Sequence, residues 1–155
     1  MRSIGPWIAA VALLAAPRYP ASAADGAAPG GATPSVRTSA VHVLAPGYTF
    51  EAVVPSRARP GGYGLVFGAE RPTPGYRVQP ESVRVDPEAK TIVARVVEIP
   101  PEGMVAQVIT RSTFSVDLPE LSPGTYAFRL EKRRERDAAF TPAVALTLTV
   151  GRSAS

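Results

Sequence analysis

His42 is the only histidine among 155 residues, and neither cysteine nor asparagine occurs. The missing cysteines remove disulfides, thiolate nucleophiles, cysteine-bound zinc and iron–sulfur clusters together. One histidine cannot complete a multi-histidine metal site. Without asparagine there is no N-glycosylation acceptor and no Cys-His-Asn arrangement. A Ser-His-Asp set built on a Gly-x-Ser-x-Gly turn is also missing, and a Ser-Lys pair would need Lys90 or Lys132, both in turn-like, solvated contexts. Asp86, Glu88, Glu102, Glu120, Glu135 and Asp137 fall at turns or on polar faces. Asp86 and Glu88 lack the Asp-x-Asp-x-Asp-Gly spacing of a calcium loop. Glu98, inside an apolar strand, reads as solvent-exposed; if buried it needs a cation, and Arg95 or Arg111 would supply one. No catalytic residue, metal ligand or cofactor site is expected. A low-activity hydrolase, with His42, a serine and an acid brought together by folding, is the enzymatic alternative.

What remains is the chemistry of recognition. Pro72-Thr73-Pro74-Gly75-Tyr76 sets an aromatic residue directly after a glycine in a turn stiffened by two prolines. Such a residue serves either as a rigid anchor for a partner or as a corner tyrosine, packed inward with its hydroxyl on a nearby backbone group. Pro100, Pro101 and Gly103 form a second stiffened turn. These eight residues are the candidate partner-binding set, because preformed loops dock with little ordering cost. Lys132 to Arg136, basic residues interleaved with Glu135, reads as a solvated hairpin end that discourages edge pairing.

The elements that must carry these turns begin after a leader. Residues 1–23 read as a secretory signal: Arg2 starts it, Ile4 to Ala16 is apolar but too short to span a bilayer, and Ala21-Ser22-Ala23 is a cleavage site. Residues 24–39, rich in Ala, Gly, Pro, Ser and Thr, read as a flexible linker. Removing 1–23 takes away Arg2 and Arg18 and no acid, lowering the net charge from +4 to +2. That balance gives no footprint for nucleic acid. The expected location is periplasmic or secreted, in a bacterial cell, without stable membrane insertion.

Residues 40–151 read as one β domain. Tyr126, Phe128 and Leu130 alternate with polar residues, as do Val144, Leu146, Leu148 and Val150, and Phe114, Val116 and Leu118; this is the period of half-buried strands. Earlier strands are expected at Val41 to Leu44, Tyr48 to Val54, Tyr63 to Gly68, Tyr76 to Val85 and Lys90 to Ile99. Met104 to Arg111, apolar on both faces, fits a central strand. Pro80 marks an edge strand or a bulge, and Asp86-Pro87-Glu88-Ala89-Lys90 a turn. About eight or nine short strands without helices describe an immunoglobulin-like antiparallel β-sandwich.

Reading outwards from Arg71-Pro72-Thr73-Pro74-Gly75-Tyr76, the segment to about Glu120 resembles the C-terminal domain of PrcB-like protease-complex subunits. The matching pieces are that turn, the Val83 to Ile99 hairpin, Pro100-Pro101-Glu102-Gly103, and Gln107-Val108-Ile109-Thr110 before Phe114-Ser115-Val116. Pro74 stands in place of the family's first turn glycine, and Arg111-Ser112 where an aromatic and a proline are common. The resemblance implies a non-catalytic module that binds and stabilises a secreted or envelope protein, a protease among the candidates. The Pro-Thr-x-Gly-Tyr turn is also similar to a loop of chagasin-type cysteine-protease inhibitors. That similarity implies instead a protease inhibitor; against that family's pattern, Arg71 stands where it has Asn, the glycine-rich run Gly61-Gly62-Tyr63-Gly64 precedes the turn instead of following it, and no Arg-Pro-aromatic loop lies downstream.

Overall fold

Strands that are apolar at every second position can bury those residues only if two sheets face each other. The computed structural model describes residues 35–151, which form eight strands and no helix. These are β1 (Val36–Val43), β2 (Tyr48–Pro55), β3 (Tyr63–Arg71), β4 (Arg77–Asp86), β5 (Thr91–Ile99), β6 (Thr110–Asp117), β7 (Gly124–Arg134) and β8 (Thr141–Val150). One sheet has the order β1-β8-β7-β5-β4 and the other β2-β3-β6. The expected all-β sandwich is therefore present. The signal segment 1–23 and linker residues 24–34 lie outside the described residues. Residues 36–39, read as the end of the linker, are strand: they pair with Thr147 to Val150 of β8, since backbone pairing does not require apolar side chains.

Every strand pair is antiparallel except β5 with β7, which run parallel with Thr91 opposite Ala127 and Glu98 opposite Arg134. After β5 the chain crosses to the other sheet, forms β6, and returns as β7. A parallel neighbour requires such a crossover. Successive strands then reverse direction so that the β1–β2, β3–β4, β5–β6 and β7–β8 connections gather at one end of the sandwich. The other three connections lie at the opposite end.

The inward faces follow the expected alternation. Tyr126, Phe128 and Leu130 of β7 and Val144, Leu146, Leu148 and Val150 of β8 are buried against Leu65 and Phe67 of β3 and Val116 of β6. Phe67 stacks on Phe114 within its own sheet and on Phe128 across the interface, with ring centroids 5.7 and 5.9 Å apart. Pro80 has both expected consequences: β4 is an edge strand, and its register against β5 shifts between Pro80 and Ser82. In the turn that follows, Asp86 Oδ1 accepts from the amides of Glu88 at 3.0 Å and Ala89 at 2.9 Å.

Two expectations are corrected. Residues 104–109 are a loop, with Met104 fully exposed and Ile109 77% exposed. β6 starts only at Thr110, where one inward face resumes along β3. The run from Lys132 to Arg136 is only partly the exposed hairpin end, because β7 continues to Arg134 and only Glu135 and Arg136 of the run fall in the 135–140 connection to β8. Arg133 pairs with Glu81 at 2.9 Å and lies 5.2 Å from the ring centre of Phe140.

Phe67 touches the aromatic residues of both sheets, so Phe67→Ala should cost about 3–5 kcal/mol of stability. Urea denaturation followed by tyrosine fluorescence measures this. A loss below about 1 kcal/mol would mean that the inter-sheet aromatic stack is not the centre of the core.

Candidate binding cleft

The period-two rule that fills the core also fixes what lies at its mouth. On β5 the inward positions are Ile92, Ala94, Val96 and then Glu98; on β7 they are Tyr126, Phe128, Leu130 and then Lys132 and Arg134. Both strands change from apolar to charged on the same face, at the end where four connections gather. Glu98 is only 3% exposed, which corrects the expectation of a solvated carboxylate. Its partners are not Arg95 or Arg111. Tyr48 of β2 donates its hydroxyl to Glu98 Oε1 at 2.6 Å, Arg71 at the end of β3 donates a guanidinium N–H to the same oxygen, and Lys132 Nζ lies 3.8 Å from Oε2. Arg95 pairs instead with Glu131 at 3.0 Å on the outer face, and Arg111 with Glu51 on the small sheet.

Tyr48 is buried between two cations, with the Arg71 guanidinium 4.7 Å and Lys132 Nζ 6.0 Å from its ring centre. Cations are attracted to the ring face, more strongly where water is excluded. Burial, reinforced by the hydrogen bond and charge of Glu98, pushes the Tyr48 phenol far above its ordinary range. It therefore remains a neutral donor to the Glu98 carboxylate. Gly47 makes this approach possible: its φ is +77°, its carbonyl accepts from the Glu70 amide at 2.8 Å, and a Cβ there would sit 2.8 Å from Glu70 O.

Over this cluster lies an open cleft of about 520 Å³. Its polar lining is Glu70, Arg71, Glu98, Lys132 and Arg134, and its apolar lining includes Pro72, Tyr76 and Ile109. Of the eight sequence-predicted residues, Pro72 and Tyr76 line the cleft directly. Thr73 holds its rim, its carbonyl accepting from the Thr110 hydroxyl at 3.1 Å. Gly75 has φ +86° and packs against Pro101, where an added Cβ would come within 3.1 Å of the proline Cβ, so the two proline turns touch. Pro74 is half-buried, while Pro100 and Gly103 are exposed. Beyond them Met104, Val105, Val108 and Ile109 form an exposed apolar strip.

The corner role belongs to a different tyrosine. Tyr126 is buried, donates its hydroxyl to the Ser122 carbonyl at 2.9 Å and lies under Lys90 Nζ at 4.8 Å from the ring centre. Tyr76 is half-buried and faces the cleft. His42 is exposed on edge strand β1 opposite Ala145 and lines none of these surfaces. The glycine-rich run Gly61-Gly62-Tyr63-Gly64 begins in the β2–β3 connection at the far end, so it cannot share a docking face with Tyr76 as the inhibitor-like arrangement requires.

Residues 62–111 match the family model described as PrcB C-terminal. The match covers β3, β4, β5, both proline turns and the loop that carries Ile109. It agrees with the resemblance read from the turn and hairpin motifs. No curated protein and no solved structure matches the chain.

Two outcomes test the cluster. Glu98→Ala leaves Arg71 and Lys132 without their shared counter-charge and should cost about 3–5 kcal/mol, measured by denaturant unfolding; a neutral effect would remove Glu98 from the structural frame. Below about pH 10 the Tyr48 phenol is neutral whether the chain is folded or unfolded. Above it the unfolded chain ionises first, so stability is lost as pH rises. Denaturation midpoints should therefore fall between about pH 9 and about pH 11, and Tyr48→Phe should flatten that fall. Equal slopes would assign the alkaline loss to other groups.

Proposed function

We propose that this protein is an exported, non-catalytic accessory module that holds another secreted or envelope protein, a protease among the candidates, at the cleft end of the sandwich. The observation that carries the reading is the coincidence of two features in one stretch. Residues 62–111, which match the PrcB C-terminal family model, contain both proline turns and the four exposed apolar side chains of the 104–109 loop. Apolar residues grouped on an exposed surface favour a protein partner over bulk water. The touching turns hold the rim in place before binding, which limits the entropy lost on association. Export is supported by the residues of the 1–23 segment. The non-catalytic reading is supported by the contacts of Glu98, whose carboxylate is occupied by Tyr48 and Arg71.

A photo-crosslinking amino acid placed at Met104 or Ile109, and at Arg59 on the opposite end as a comparison, tests this in the producing cell. The expected result is one discrete adduct from positions 104 and 109, none from position 59, and an adducted protein recovered from the envelope or medium. Equal labelling from both ends, or an adduct with a cytoplasmic protein, would remove the reading.

A further inference from the structure

The cleft carries a charge imbalance that points to the chemistry of its occupant. Arg71, Lys132 and Arg134 line it against two carboxylates, Glu70 and Glu98. Glu98 is engaged by Tyr48 and Arg71, and its 3.8 Å separation from Lys132 is too long for a hydrogen bond. Among the described residues the Lys132 ammonium donates no hydrogen bond, and Arg134 has no carboxylate within ion-pair distance. Both side chains stand on the inward face of β7, where Phe128 and Leu130 precede them. Two cations with open donors, Lys132 half-buried and Arg134 exposed at the end of β7, therefore line the mouth beside an apolar wall made by Pro72, Tyr76 and Ile109.

We propose that this cleft takes the carboxylate of a single Asp or Glu side chain on an extended segment of the partner protein, with that segment's neighbouring apolar residue resting on Tyr76 and Ile109. One negative charge neutralises the lining, whereas a phosphate would bring a second charge against Glu70 at the rim. Guanidinium and ammonium groups bind a carboxylate through short charge-assisted hydrogen bonds, strongest where water is excluded. Ile109 of that wall belongs to a loop that also exposes Met104, Val105 and Val108, which suits a peptide segment and gives a small inorganic anion no added contact. The inference rests on the docking reading above and adds the chemistry of the docked residue.

Backbone amide NMR of the protein titrated with the blocked peptide acetyl-Ala-Glu-Leu-Ala-amide, its Gln counterpart and inorganic phosphate tests the proposal. The Glu peptide should shift the signals of Tyr76, Ile109, Lys132 and Arg134 saturably, and bind about tenfold or more tightly than the Gln peptide, the usual weight of a charged hydrogen bond. Lys132→Met combined with Arg134→Gln should abolish those shifts in a protein whose remaining spectrum is unchanged. Lys132→Arg, which keeps the charge, should retain them. The proposal is overturned by equal binding of the Glu and Gln peptides, by tighter binding of phosphate, by unimpaired binding to the double variant, or by no response up to about 10 mM ligand, the weak limit of specific recognition. Crosslinking from position 109 separates the two ideas: adducts that persist in the double variant leave the docking face standing and remove the carboxylate.

Discussion

A carboxylate buried where two β-sheets part must be neutralised by both of them, and Glu98 is placed in that position. The small sheet sends Tyr48 and Arg71; the large sheet sends Lys132 beside Glu98 itself. Removing an ionised group from water costs several kcal/mol, which is recovered only when its lone pairs are met by donors in good geometry. Because those partners come from three strands, β2, β3 and β7, around Glu98 on β5, the requirement fixes the spacing of the sheets at one end, while the Phe67 stack fixes it in the middle. The same requirement explains why Gly47 adopts a left-handed conformation next to Arg71: a side chain there would push the β1–β2 turn away from the strand that carries the guanidinium. The cleft is thus the outer side of a structural joint. Its floor is rigid for reasons unrelated to binding, which is the condition a preformed recognition surface needs.

The architecture was legible because period-two alternation is a local property. Tyr126 to Leu130 and Val144 to Val150 announce their buried faces within seven or fewer residues, and Pro80 announces an edge. The partners of those strands were not legible, since alternation says which side is buried and not which strand lies alongside. The parallel β5–β7 pair follows from the crossing of the chain between sheets after Ile99. Nothing in the side chains of 104–109 distinguishes an exposed apolar loop from a central strand. Its place decides it: the segment links β5 of one sheet to β6 of the other and pairs with no strand.

For the cleft, the two proline turns were readable from their residue types, and the structure brings them into contact through Gly75 and Pro101. The charged floor was missed although its signal was present. Extending the inward series Ile92, Ala94, Val96 by one step reaches Glu98, and extending Phe128, Leu130 reaches Lys132 and Arg134. Treating charge as a mark of exposure overrode the period, a rule that holds for isolated groups and fails when three other strands converge on one carboxylate. Tyr48 and Tyr76 illustrate the same limit. Each begins beside a turn glycine, yet one is sealed between cations and the other lies open on the cleft, because burial depends on the neighbouring strand and not on the local sequence.

The extent of the family match has a physical consequence. Residues 62–111 supply Arg71, Glu98 and both proline turns, but Tyr48 and the inward cations of β7 come from outside that range. Within it, β3 belongs to the small sheet while β4 and β5 belong to the large one. A fragment limited to the match would leave Glu98 without two of its three partners and would expose the inward faces of β3 and β5 together. The matched stretch therefore holds the rim of the cleft with its hairpin, and in this chain it acquires a closed core only from the strands that flank it. In this chain those flanking strands also deliver Lys132 and Arg134 to the cleft, so two of its three lining cations lie outside the stretch that matches the family model.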